Sequence, residues 1–214
     1  MRIGVLGTGI VGQTIGASLT RLGHDVRLGA RSAMNEKATK WVADTGEYAS
    51  HGSFSDAASF GEIVFNCTAG TGSLEALRAA GADNLRGKTL VDVANALDFS
   101  RGIPPTLSMC NTTSLGEEIQ AAFPDAHVVK ALNTMNAAIM VNPLLVPGEH
   151  DVFLCGNDHG AKAAVTELLR SFGWRNIVDL GDITAARGME MVLPVWLRLW
   201  GALKTPHFNF HIAY

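Results

Sequence analysis

Arg2-Ile-Gly-Val-Leu-Gly-Thr-Gly-Ile-Val-Gly12 opens the chain, and its reading decides the fold. Arg2 to Leu6 is a short apolar run with the character of a buried strand. A glycine turn follows. Gln13 to Leu22 then reads as a helix, with apolar or small residues at Ile15, Ala17, Leu19 and Leu22, and Gly23 stops it. Strand, glycine turn and helix in this order make the first half of a βαβ unit. Each glycine has its own task there: Gly7 permits the tight turn, Gly9 lets a pyrophosphate approach the backbone, and Gly12 lets the helix lie close on the strand. The helix N-terminus offers free N–H groups and the positive end of its dipole to phosphates. A dinucleotide site is therefore expected on Gly7, Thr8, Gly9, Ile10, Val11 and Gly12.

The end of the second strand, Asp25 to Gly29, selects the dinucleotide. NAD sites place a carboxylate there to bind the ribose hydroxyls. This chain has Leu28-Gly29-Ala30-Arg31-Ser32, with no carboxylate before Glu36. A carboxylate would repel a 2′-phosphate, whereas an arginine holds it in a planar fork. Arg31 is thus the expected 2′-phosphate ligand, with help from Ser32, from Thr8 in the glycine loop and, more distantly, from Lys37. The cofactor expected is NADP.

Outward from this unit, strands and helices alternate. Helices are expected over 36–44, 73–80 with Ser73 as N-cap, 114–123 on the capping-box pattern Ser114-Leu-Gly-Glu117, 158–172 and 184–203; strands over 62–67, 88–93, 127–132, 151–155 and 176–180. Strands apolar on both faces that alternate with helices mean a parallel sheet covered on both sides. The fold class expected is α/β: a Rossmann-type doubly wound, mostly parallel sheet, with a small C-terminal αβ unit ending in an apolar helix. Pro143, Pro147 and Gly148 mark a boundary between an NADP-binding domain, 1–140, and a unit over 141–214 that closes the cleft. The stretch from Ala94 to Thr113, with Pro104-Pro105, reads as one long loop, a length that favours a functional role.

Composition narrows the function. The 214 residues carry a net charge of -3 with no basic run, which argues against nucleic acid or an anionic membrane as partner. Met189 to Leu203 is interrupted by Glu190, Pro194 and Arg198 and is short of the ~20 apolar residues of a membrane span. Cys67, Cys110 and Cys155 show no ligand or redox spacing and read as reduced, buried thiols of a cytoplasmic protein. His207 and His211 lie four apart in an alternating tail that lacks a Cys or carboxylate, so no metal site is expected. The last helix bears Met189, Val192, Leu193, Trp196, Leu199, Trp200 and Leu203, too much apolar surface for a small monomer, and a homodimer is expected to cover it.

Ligands of open α/β sheets bind outside the carboxyl ends of the strands. Three further loops matter for that reason: Thr68-Ala69-Gly70-Thr71-Gly72, Ala94-Asn95-Ala96 and Asn133-Thr134-Met135-Asn136-Ala137. Together with Gly7–Gly12, the segments Gly29-Ala-Arg-Ser32, Lys130-Ala-Leu-Asn-Thr-Met-Asn-Ala137, Leu154-Cys-Gly-Asn-Asp158 and Ala186-Arg-Gly-Met-Glu-Met-Val-Leu-Pro194 make the chain resemble the coenzyme F420-dependent NADP oxidoreductase family, in its bacterial branch. The resemblance implies direct hydride transfer between NADPH and a deazaflavin ring, stacked face to face. It places Thr8, Arg31 and Ser32 on the 2′-phosphate, and it frames the rings with Thr68, Ala69 and the turn Thr134, Met135, Asn136 and Ala137. Gly70 and Asn95, in the same strand-end loops, are expected beside them as cofactor-binding residues. Archaeal members carry Pro-Trp where this chain has Ala69-Gly70, and His-Thr-Ile-Pro-Ala where it has Asn133–Ala137. Both differences touch the acceptor pocket. Cytosolic domains of transmembrane metalloreductases resemble the same family and use a flavin, so F420 and flavins both stand as the small-molecule redox acceptor.

Two other functions stay open on sequence alone. Reduction of a small carbonyl or imine needs a proton donor, and Lys130, near the end of its strand, is the better candidate than His127, although a strand residue with a solvent-facing tip is the simpler expectation. A non-catalytic NADP-binding redox sensor is the other.

Overall fold

The computed structural model describes residues 1–213. In chain order it holds β1 (Arg2–Leu6), α1 (Ile10–Arg21), β2 (Asp25–Ala30), α2 (Glu36–Thr45), β3 (Ala49–Ser53), α3 (Phe54–Phe60), β4 (Ile63–Asn66), α4 (Ser73–Ala80), α5 (Ala82–Leu85) and β5 (Thr89–Asp92). A small hairpin, β6 (Leu97–Asp98) and β7 (Thr106–Leu107), leads to α6 (Leu115–Ala122), β8 (His127–Ala131), α7 (Ala137–Val141), β9 (Asp151–Gly156), α8 (His159–Ser171), β10 (Asn176–Asp179), α9 (Ala186–Met191) and α10 (Leu193–Leu203). The main sheet has eight strands in the order β10-β9-β8-β5-β4-β1-β2-β3. Every neighbouring pair is parallel except β8 and β9. The Rossmann-type α/β fold expected from the sequence is present.

Sheet order fixes where a ligand can bind. The chain leaves β1 toward β2 and β3, then returns to place β4 on the other side of β1. At that switch point the loops after β1 and β4 diverge and open a crevice at the carboxyl ends of the strands. Beyond β8, the chain passes through α7 and residues 142–150 without a crossover helix, and β9 runs back antiparallel. β9 and β10 extend the same sheet, and Val152, Leu154, Val165 and Phe172 share one core with Ile3, Val5, Ile15 and Leu28. The opposite face packs Leu6, Phe54, Leu77, Leu90, Ile119 and Val128 with Ile183, Ala186 and Met189 of the C-terminal segment.

Several elements differ from the expectation. Helix α1 starts at Ile10 rather than Gln13, with Gly9 as N-cap, so the helix begins inside the glycine fingerprint. The strand β3, Ala-Ser-His-Gly-Ser, lies at the sheet edge and carries no branched or aromatic residue to betray it. Helix α3 starts on a capping box between Ser53 and Asp56, a sequence signal that the apolar pattern obscured. Ser73 is not the cap of α4; Gly72 is. The stretch Ala94–Thr113 is not wholly irregular, since it pairs β6 with β7. The last helix is broken at Val192, with Pro194 in the first turn of α10, where its missing N–H costs nothing. Cys110 is exposed, contrary to its expected burial, while Cys155 is buried and its thiol pKa is pushed up to about 12, first by that burial. No helix among the described residues is long and apolar enough to cross a membrane.

Candidate functional site: a cleft at the switch point

Three loops meet at the carboxyl ends of β1, β2 and β4 and enclose a cleft of about 510 Å³. Gly7, Thr8 and Gly9 line it from the first loop, Arg31 from the second, and Thr68 and Ala69 from the third. Gly7 has φ 118°, and a Cβ there would lie 2.6 Å from the Cys67 carbonyl oxygen. A Cβ on Gly12 would lie 2.0 Å from the Gly7 carbonyl oxygen, so helix and loop can approach only because both positions lack one. Gly9 is the opposite case: a Cβ there would meet nothing within 4 Å, because that face is turned to the open cleft. The loop is pinned from behind by the Gln13 side-chain amide, which donates to the Thr8 carbonyl at 2.9 Å. A rigid turn, an open backbone face and a 12-residue helix starting at it fit a pyrophosphate.

Arg31 is exposed and has no ion-pair partner among the described residues. Its guanidinium is therefore free for an anion. Ser32 and Lys37 do not line the cleft; the Ser32 hydroxyl accepts from the Met34 N–H at 3.2 Å, and Lys37 is exposed on α2. Ile10 is exposed beside the loop, and Val11 packs on the core. Sequence reasoning missed Asn35, Phe54, Glu75, Ala76 and Ala79, which complete the walls. Asn35 had a usable signal, since it is the N-cap of α2 and accepts from Ala38 N–H at 3.0 Å. Cys67 also lines the cleft; burial and the Asp92 carboxylate push its thiol pKa up, so it is a protonated wall and not a nucleophile.

The loops expected around the reacting rings converge deeper in the sheet. Gly70 lies so close to Asn95 that a Cβ would come within 1.9 Å of its carbonyl oxygen. The Asn95 side chain donates to the Asn133 carbonyl at 2.9 Å, and Asn133 donates to Asn95 Oδ1 at 2.9 Å and to the Met189 carbonyl at 3.1 Å. Thr134, Met135 and Ala137 are buried and do not line the cleft. Asn136 caps α7, its Oδ1 accepting from Ala138 N–H at 3.0 Å.

Set against known proteins, residues 2–96 match the model of the family described as NADP oxidoreductase, coenzyme F420-dependent. A solved structure from Arthrobacter sp. FB24, of a protein provisionally named an F420-dependent NADP-reductase, aligns over 100% of both chains with 53% identity and a TM-score of 0.96. The chain belongs to the coenzyme F420-dependent NADP oxidoreductase family. It is also 30% identical over 202 residues, 91% of its length, to the rat metalloreductase STEAP3, and 27% identical over 145 residues, 67% of its length, to the F420-dependent NADP reductase of Methanocaldococcus jannaschii. It spans 38% of the rat protein and 64% of the archaeal one.

One feature of this family member corrects the sequence reading outright. Lys130 has no solvent-facing tip; it is completely buried. Its Nζ lies 2.7 Å from Asp92 Oδ2 and 2.8 Å from Glu190 Oε1, and it also donates to the Ala94 carbonyl. Burial alone would lower the lysine pKa; the Asp92 and Glu190 carboxylates outweigh it and hold the pKa above the ordinary value. Glu190 in turn accepts from the Leu115 and Gly116 N–H groups, at 3.0 and 3.1 Å, at the start of α6. His127, the other donor considered, is half-exposed on the far end of the strand, 3.6 Å from Asp158. His211 pairs with Asp151 at 3.3 Å, and His207 is exposed in the tail.

Proposed function

We propose that this protein is an NADP(H)-dependent oxidoreductase that exchanges a hydride directly between the nicotinamide of NADPH and a deazaflavin or flavin ring. The observation that carries the cofactor is the unpaired Arg31 at the mouth of a glycine-loop cleft, with no carboxylate at the end of β2. Family membership supports the deazaflavin, and the 30% identity with a metalloreductase keeps the flavin beside it. When bound, NADPH supplies the hydride itself. What the chain contributes is placement: Gly7, Thr8, Gly9 and the first turn of α1 hold the phosphates, Thr68 and Ala69 border the ribose, and Gly70, Asn95 and the turn Thr134, Met135, Asn136 and Ala137 back the ring site. Aligned stacking is worth about 7–11 kcal/mol of barrier in favourable systems, without an acid or base.

Reduction of a small carbonyl or imine is the weaker reading. It requires a proton donor at the substrate, and the Nζ of Lys130 is enclosed by three acceptors inside the protein. Stopped NADPH oxidation with F420, FMN, FAD, ferric chelates and small ketones or imines separates the cases. Turnover with F420 or a flavin is expected. Turnover with carbonyls alone would replace this reading, and tight NADPH binding with no acceptor would point to a sensor.

The unit over 141–214 supplies the covering side of the cleft in this proposal, and the working environment is the cytoplasm. A second copy covers α10. Leu193 and Trp196 are buried within the chain itself, Trp196 stacking on Phe208 at 5.3 Å, whereas Val195, Trp200 and Leu203 are 54%, 46% and 53% exposed. An apolar groove between Ile103, Pro104 and Trp200 continues this surface. Light scattering should give twice the 22.7 kDa chain mass at micromolar concentration, and Trp200→Glu with Leu203→Glu should halve it. A wild-type monomer refutes the dimer.

A further inference from the structure

Three adjacent strands carry polar residues side by side at or next to their carboxyl ends. The parallel register sets Asn66 opposite Asp92, and Asp92 opposite Lys130. All three are fully buried. They are the middle of a continuous hydrogen-bonded chain. Glu190 and Asp92 hold the Lys130 ammonium from two sides. Asp92 Oδ1 accepts from Asn66 Nδ2 at 2.8 Å, and Asn66 Oδ1 accepts from the Thr68 hydroxyl at 2.7 Å. Thr68 lines the cleft. The chain thus begins in the C-terminal helix α9 and ends at the cofactor wall.

Its polarity is fixed from the lysine end. An ionised carboxylate beside an ammonium only accepts hydrogen bonds. Asp92 can therefore receive only the NH2 side of the Asn66 amide, which forces Oδ1 to face Thr68. Threonine has one hydroxyl proton, and the short contact to Asn66 Oδ1 commits it inward. Ser73 closes the end: it accepts from Asn66 Nδ2 at 3.1 Å and, since the Thr68 proton is committed inward, donates its own proton to the Thr68 oxygen at 2.9 Å. Toward the cleft the Thr68 oxygen then offers its remaining lone pair, an acceptor matched to a ribose hydroxyl.

We infer that Lys130 is a positioning residue: held between Asp92 and Glu190, it orients the Asn66 amide so that Thr68 presents an acceptor to the ribose of the bound dinucleotide. The inference rests on the proposed NADPH site. It differs from a plain stability role in one respect: the orientation matters only if there is a Thr68 hydroxyl to orient.

A double-mutant cycle on NADPH affinity tests this. Asp92→Asn keeps the volume but can donate to Asn66 and turn its amide over, presenting NH2 to Thr68. Thr68→Val removes the hydroxyl. Each single variant should weaken NADPH binding about 2- to 12-fold, the range of one neutral hydrogen bond. Asp92→Asn should cost less than about twofold when introduced into Thr68→Val. If Asp92→Asn does not fold, Asn66→Ala replaces it in the same cycle, with the same expectation. Equal cost of the change in both Thr68 backgrounds overturns the inference, as does wild-type affinity in Thr68→Val. In either case NADPH still binds the wild type and the proposed function stands. No NADPH binding by the wild type removes both.

Discussion

Arg31→Glu should weaken NADPH binding by about 100- to 1000-fold while changing NADH binding less than about threefold. The two dinucleotides differ by the 2′-phosphate alone, so the comparison isolates one contact. A guanidinium bonded to a phosphate gains about 1.5–3 kcal/mol per charged hydrogen bond, and a bidentate fork makes two. Water screens the exposed Arg31 side chain, which brings the loss for Arg31→Ala below that two-bond sum, to about tenfold. The carboxylate of Arg31→Glu adds repulsion to that lost attraction. Because the Debye length shrinks from about 8 Å at physiological ionic strength toward 3 Å at 1 M, salt should narrow the gap between the two cofactors in the wild type. Fluorescence titration of both dinucleotides, at low and high salt, reads all of this. Equal weakening of NADPH and NADH by Arg31→Glu would place the 2′-phosphate elsewhere.

The readable parts of the chain are those where local chemistry admits one solution. The glycine spacing after an apolar strand and the missing carboxylate after β2 depend on neighbours in sequence, and the residues they name meet at one cleft. Strand β3 was invisible because an edge strand buries little and needs no branched residue. Phe54, Glu75, Ala76 and Ala79 line the cleft from helices whose own pattern only reports a packed face. Lys130 looks solvent-facing in the sequence for a different reason. Asn66 and Asp92 close the strands Ile-Val-Phe-Asn and Thr-Leu-Val-Asp, and Lys130 is next to last in His-Val-Val-Lys-Ala. One polar residue at a strand end looks like a tip reaching water. At one register on adjacent strands, Lys130 and Asp92 pair their charges and Asn66 donates to Asp92, so all three can stay buried, and seeing that requires the strand order β8-β5-β4.

Burial of that cluster sets the second large effect. Lys130→Met should lower the free energy of unfolding by about 3–5 kcal/mol, the cost of leaving buried charge without its partner. Domains of this kind hold about 5–15 kcal/mol in total, so the variant should unfold at clearly lower urea concentration. The reason is electrostatic rather than steric: methionine matches the stem of lysine, but Asp92 and Glu190, both fully buried, are left facing each other. Glu190 keeps the two N–H groups at the start of α6, and Asp92 keeps Asn66 Nδ2, so each retains partners but neither retains a cation. Lys130→Arg should not restore stability, because the side chain is enclosed on every side. Glu190→Gln introduced beside Lys130→Met removes one of the two stranded charges and keeps an oxygen acceptor. The double variant should therefore recover about 1–2 kcal/mol relative to Lys130→Met, a coupling of the size seen between groups in direct contact. Urea unfolding of the four proteins measures it. Additive losses would mean that the ammonium and the Glu190 carboxylate contribute separately.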